Sequence, residues 1–168
     1  MRDEPLARRV EGVGTTPVLA PVAGRAVPLH DVPDPVFSQG MVGYGAAIDP
    51  PRGVVDAVAP VAGTLLKLLP HAYVVMTADN VGILVHLGLD TVRLNGAGFT
   101  AHVKEGDAVA AGQLIITYDV PSVEAAGLNP IVAVVVMDER ESANVIAADA
   151  VTNGVQIATR ETLFTSTR

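Results

Sequence analysis

A chain of 168 residues, 49% of them apolar, is long enough to bury a full core in one domain. Its net charge of −7 argues against nucleic acid as a partner and for a basic protein surface, and with no cysteine it can hold no disulfide, thiolate nucleophile or cysteine-ligated zinc. Aromatics reach only 4%, while 16 glycines and 12 prolines cut the chain often, as short strands of small branched residues joined by tight turns require.

Residues 1–16 mix both charge signs with Gly and Thr and show no helical apolar face. They are expected to be a flexible tail, with 17–168 as the single domain. They also lack the apolar stretch of a secretion signal, so a cytoplasmic protein is expected. From Pro17 the pattern becomes short apolar runs divided by turn residues: "VLAPVAGRAVPL", a Pro/Asp loop "HDVPDPVF", then "GMVGYGAAIDPP" and "VVDAVAPVAGTLLKLL". The runs "YVVMTA", "VGILVHLGLD", "FTAHVKEGDAVAAGQLIITYD" and "IVAVVVM" follow. Turn signals spaced by roughly eight to twelve residues predict an all-β, antiparallel sandwich or barrel. Only Pro121–Leu128 reads as a helix, with Ser122 as its cap. The longest apolar run, Ile131–Met137, is far too short to span a bilayer. The last segment, "VTNGVQIATRETLFTST", is expected to close the sheet.

"APVAG" occurs twice, at Ala20–Gly24 and Ala59–Gly63. A five-residue repeat is too small for a solenoid unit, so it marks two equivalent strand-turn corners and belongs to the scaffold.

The chemistry concentrates in "VGILVHLGLDTVRLNGAGF", Val81–Phe99. On a strand, Ile83, Val85, Leu87 and Leu89 point one way, and Leu84, His86, Gly88 and Asp90 the other. An imidazole, a glycine and a carboxylate thus share the face opposite an apolar one. Leu84 and Leu87 shield the ring, and Gly88 leaves room for backbone to approach it and fix its tautomer through a carbonyl. A second histidine, His71, precedes "AYVVM". A turn centred between Ala78 and Asp79 would set His71 directly opposite His86, with Cβ atoms roughly 4.5–5.5 Å apart. Two imidazoles that close suit one phosphoryl group or one metal ion. His30, in the Pro/Asp loop, is expected to be solvated, and His102 to lie on a strand face or end.

"DVPDPVFSQGMVGYG", the second "APVAGTL", "HAYVV" and above all "VHLGLDTVRLNGAGF" together resemble the glucose-type EIIA domain of the bacterial phosphoenolpyruvate:sugar phosphotransferase system. The resemblance runs from about Val18 to the final strand. It implies the duplicated hybrid motif form of the β-sandwich, with one or two short helical turns. It also implies that His86 carries a phosphoryl group received from the carrier HPr and passed to a cysteine of an EIIB domain, with His71 assisting. Asp34 and Asp90 match acidic positions that border the family's site and dock against basic partner residues. Val36, Phe37, Met41, Val42, Leu84 and Val92 would form an apolar docking ring, with core packing as the competing role for each. No cofactor is implied, and membrane contact only through the permease. A zinc ion shared with a partner's carboxylate at His71 and His86 is a minor extra. The same domain type serves glucose, N-acetylglucosamine, β-glucoside and sucrose systems.

The chain departs from the family at Leu69 and Pro70, where relatives have a threonine two residues before the assisting histidine, and at Tyr44, where Gly-Asp-Gly is commoner. Two other classes compete. "VKEGDAVAAGQLI" resembles biotinyl and lipoyl carrier domains, but neither Lys67 nor Lys104 has the hairpin-tip setting such carriers need. "HLGLD" matches the H-x-x-x-D pair of a zinc peptidase family, but that family needs a further H-x-H, and two imidazoles fall short of three zinc ligands.

Overall fold

The computed structural model describes residues 15–167. The expected tail therefore lies outside the described residues except for Thr15 and Thr16, and Thr16 already belongs to a strand. In chain order the elements are β1 (Thr16–Leu19), β2 (Gly24–Pro28), α1 (Pro35–Ser38), β3 (Gly43–Asp49), β4 (Val54–Val58) and β5 (Gly63–Leu69). Then come β6 (Ala72–Met76), β7 (Gly82–Leu87), β8 (Phe99–Ala101), β9 (Ala108–Val109), β10 (Leu114–Asp119) and α2 (Val120–Ala125). The chain ends with β11 (Val132–Met137), β12 (Val145–Ala147), α3 (Asp149–Asn153), β13 (Gln156–Ile157) and β14 (Thr162–Ser166). Short 310 turns lie at Leu29–Asp31, Thr91–Leu94 and Ser142–Asn144.

The strands form an eight-stranded sheet in the order β13-β2-β3-β11-β7-β6-β5-β9 and two three-stranded sheets, β1-β14-β12 and β4-β10-β8. Antiparallel pairing joins β11 to β3 and β7, and β6 to β5 and β7. The all-β reading is thus correct. Helices are more numerous than expected, because the Pro/Asp loop winds into α1 and part of "VTNGVQ" into α3. The one expected helix starts a residue early: Asp119 caps α2, its carboxylate accepting from Ser122 N at 3.3 Å, and Ser122 sits within the helix. Pro121 tolerates this first-turn place because no N–H is needed there. No helix among the described residues is long and apolar enough to cross a membrane.

β7 and β11 lie at the centre of the large sheet, and both faces of each are covered. Ile83, Val85 and Leu87 join Val132, Val134, Val136, Tyr73 and Phe164 in the main core. On the other face Ala133 and Val135 join Ala47, Leu29, Val32 and Phe37 in a smaller apolar cluster, with Leu84 and Val42 half-buried against it. An all-apolar β11 follows directly, since a strand covered on both sides needs no polar alternation.

The doubled "APVAG" forms two corners that bond to each other reciprocally. Leu19 N donates to Pro60 O, and Val58 N to Pro21 O, each at 2.9 Å. Ala20 N donates to Glu161 O at 2.7 Å, and its counterpart Ala59 N to Gln113 O at 2.8 Å. The sheet order reads alike from both ends, with β2 and β3 answering β5 and β6. At each corner glycine is required sterically, because a Cβ on Gly24 would collide with the Asp49 carbonyl and one on Gly63 with that of Met76. Gly63→Ala should therefore cost on the order of 2–4 kcal/mol in urea unfolding, whereas Gly53→Ala should stay within about 0.5 kcal/mol. A methyl on Gly53 meets nothing within 4 Å, so equal losses at the two sites would contradict this account.

Candidate functional site

His86 is the fifth residue of β7 and points away from the main core, as alternation requires. Its cross-strand neighbours are Ala72 on β6 and Ala133 on β11. Small side chains on both flanks leave space above the sheet for an imidazole, where a valine would crowd it. Ala133 is the one alanine within the run Ile131–Met137, an interruption of the branched pattern that could have been noticed in the sequence. The ring is half-buried, 5.2 Å between centroids from Phe37 of α1.

His71 does not occupy a strand. β5 and β6 pair through Leu69 and Ala72, so Pro70 and His71 form the two-residue turn between them. The expected register, with His71 opposite His86, is off by one, since Ala72 is the residue opposite. The hairpin loop between β6 and β7 holds three residues, not two: Thr77 N bonds Val81 O at 2.9 Å, and Asn80 takes a left-handed φ of 64°. The histidines meet nonetheless, because a turn residue is free of strand alternation. Their centroids lie 5.1 Å apart, edge to face, and His71 is buried.

The Nδ1 of His86 lies 2.6 Å from the carbonyl oxygen of Gly88. A carbonyl only accepts, so at this distance the proton sits on Nδ1, and Nε2 keeps its lone pair. Gly88 supports this contact through its φ of 81°, and any Cβ there would strike the methyl of Thr91. Asp90 follows in a left-handed conformation, at the head of the 310 turn Thr91–Leu94.

Burial pushes the pKa of His86 below the ordinary imidazole value, while the Gly88 carbonyl and the carboxylates of Asp34 and Asp90 pull it partly back. Burial also lowers His71, and the neighbouring charge of His86 lowers it further. Asp34 caps α1, its carboxylate accepting from Val36 N at 2.9 Å.

The six apolar residues of the expected ring divide by exposure. Val36, Met41 and Val92 are 42%, 59% and 63% exposed, large values for such side chains. Phe37 is buried, and Val42 and Leu84 are half-buried against the smaller cluster, so these three also serve packing. Of the departing residues, Leu69 is 40% exposed, and Tyr44 packs on Gly40 and lines a cavity of about 250 Å³ with His30 and Ser38. The remaining histidines lie elsewhere: exposed His30 sits 3.4 Å from Asp31, and His102, just past β8, bonds Thr117 through Nε2 at 2.7 Å. Among the described residues no three His, Asp or Glu side chains gather as a metal site.

Three comparisons bear on this geometry. The family model of the phosphoenolpyruvate-dependent sugar phosphotransferase system, EIIA 1, matches residues 16–142. The glucose-specific EIIA component from Oceanobacillus iheyensis is 42% identical over 121 residues, covering 71% of this chain and 72% of that protein. The β-glucoside-specific EIIBCA component from Bacillus subtilis is 42% identical over 119 residues, 70% of this chain but only 19% of that protein. Among solved structures, the glucose permease IIA from Mycoplasma capricolum superposes with a TM-score of 0.77 at 30% identity, covering 90% of this chain and 95% of that one.

The lowered pKa values carry a definite sign. As pH falls below the ordinary imidazole range, the unfolded chain takes up protons before the folded one, so stability declines until the folded rings also titrate. A nuclear magnetic resonance pH titration should give midpoints for both His71 and His86 below that of free histidine. A midpoint at or above that value for either ring would contradict the burial argument.

Proposed function

The chain belongs to the EIIA 1 family of the phosphoenolpyruvate-dependent sugar phosphotransferase system and is a phosphocarrier of that system; from this premise we propose that His86 is the residue that carries the phosphoryl group. The observation that carries this reading is the Nδ1 contact with Gly88, which leaves Nε2 as the free nucleophile beside a second imidazole. In this reading residues 17–168 are the phosphocarrier domain and 1–16 a tail attached to it.

The donor is the phosphohistidine of an HPr-like carrier. Its P–N bond breaks as the Nε2 lone pair of His86 forms a new one, and the donor imidazole leaves with the electron pair. His86 becomes cationic as it bonds phosphorus. The Gly88 carbonyl at Nδ1–H, with Asp34 and Asp90 nearby, stabilises that positive charge. His71 offers an N–H to an equatorial phosphoryl oxygen. Onward transfer reverses the step: the thiolate of an EIIB cysteine attacks phosphorus, the P–N bond breaks, and His86 returns to the neutral Nδ1–H form.

A sugar permease is the partner. This accords with the β-glucoside-specific relative, where the matched region is a minor part of a longer EIIBCA chain. Val36, Met41 and Val92 provide an apolar docking surface, while Asp34 and Asp90 face basic residues of the partner. Phe37, Val42 and Leu84 support that surface from beneath. The carrier works in the cytoplasm and reaches the membrane only through the permease.

Incubation with phosphoenolpyruvate, enzyme I and HPr should place an acid-labile label on the protein, and His86→Ala should remove it. Label persisting at wild-type level in that variant would sink the assignment. His71→Gln should still accept the group but pass it on about 10²-fold more slowly, and unchanged sugar phosphorylation would contradict its role.

A further inference from the structure

The carbonyl that orients His86 belongs to a loop, and loops do not hold a carbonyl in place unless something fixes the peptide planes. Here two successive planes are tied at both ends. The Leu87–Gly88 peptide donates from Gly88 N to Ile131 O at 3.0 Å, and its Leu87 oxygen accepts from the hydroxyl of Thr91 at 2.7 Å. The next peptide, Gly88–Leu89, donates from Leu89 N to Asn129 O at 2.8 Å, and its oxygen receives His86 Nδ1–H. Besides His86 itself, Thr91 is the one side chain in this set; the other two partners are backbone carbonyls of the segment leading into β11.

Thr91 is 1% exposed. Its methyl lies where a Cβ of residue 88 would stand, pressing on the glycine, while its hydroxyl spans back four residues. That hydroxyl lies 3.5 Å from the Gly88 oxygen itself, too long for a strong bond, so its hold on Gly88 is through the preceding plane. We propose that Thr91 is a positioning residue, whose hydroxyl locks the Leu87–Gly88 plane so that the Gly88 carbonyl stays in line with His86 Nδ1 and Nε2 remains the nucleophile. The inference rests on His86 being the phosphoryl acceptor only for its kinetic consequence; the tautomer effect is independent of that.

Without the hydroxyl, Leu87 O loses a charge-neutral but buried bond, and the plane can rotate. Rotation carries the adjoining peptide with it, moves the Gly88 oxygen off the ring, and removes the preference for Nδ1–H. A purely structural threonine would change stability and leave the ring's proton where it was.

The test compares Thr91→Val, which keeps shape and loses the hydroxyl, with Thr91→Ser, which keeps the hydroxyl. Imidazole nitrogen spectra read the tautomer of His86 directly. The wild type and T91S should show a protonated Nδ1 and an unprotonated Nε2; T91V should show a mixture with the Nε2–H form. Phosphoryl acceptance at neutral pH should fall about tenfold in T91V and stay near wild type in T91S. If T91V does not fold, Thr91→Ala, which also lacks the hydroxyl, takes its place in the same comparison. A folded hydroxyl-less variant with the wild-type tautomer overturns the inference. A wild-type ring already in the Nε2–H form overturns both it and the tautomer on which it stands. Wild-type acceptance in His86→Ala, by contrast, would remove the phosphoryl assignment and leave the tautomer result intact.

Discussion

A single proton between His86 Nδ1 and the Gly88 carbonyl organises the site, since it decides which ring nitrogen faces outward with a lone pair. The contact needs a residue two positions on that can turn with a left-handed φ and bring its backbone up to a side chain, and glycine does so without steric cost. It also needs the loop to be held. The segment leading into β11 provides that hold, taking the N–H groups of Gly88 and Leu89 onto the carbonyls of Ile131 and Asn129. The residues that lead the chain into this central strand therefore also fix the loop beside His86.

The electrostatic balance follows from where β7 sits. One face of the strand lies in the main core, and the other opens at the margin of a small apolar cluster beneath α1. His86 stands at that margin, shielded enough that burial outweighs the opposing pull of Gly88, Asp34 and Asp90 on its pKa. A lowered pKa favours the neutral imidazole, the form that the proposed attack on phosphorus requires. In the proposed transfer the carboxylates contribute most as the ring gains charge, because both already favour its charged form. His71 is set against it through a turn, and its pKa is lowered too, by burial first and then by the neighbouring His86. The symmetric scaffold serves an asymmetric purpose. The two "APVAG" corners brace both halves of the molecule equally, yet both site histidines belong to the half built around β6 and β7.

Much of this was legible in the chain. Alternation along Ile83–Leu87 assigns the His86 side chain to the face away from the main core, and the repeated pentapeptide marks equivalent corners. Gly88 could be marked as the place where backbone approaches the ring. The hairpin register differs from the expected one because Ala78-Asp79-Asn80 forms a three-residue loop, closed by the bond from Thr77 N to Val81 O and by Asn80's left-handed φ. α1 was hidden in a Pro/Asp loop, although Asp34 followed by Pro35 is a cap and first-turn pair, because four residues are too few to show a helical period. Thr91 carries no such local signal, because its hydroxyl acts on a carbonyl four residues back, a relation that exists only once the turn at Gly88 and Asp90 has formed.

By itself, then, the order of residues determined the quantities that depend on neighbours within a strand or a turn: the all-β class, the face on which His86 lies, and the room that Gly88 leaves beside its ring. Tertiary structure alone decided what depends on residues far apart in the chain. It brought Ala133 beside His86, set Phe37 against its ring, and split the apolar ring into exposed Val36, Met41 and Val92 and supporting Phe37, Val42 and Leu84. The reason is physical: strand periodicity is a local steric property, whereas burial and peptide anchoring depend on which distant segments complete the sheet.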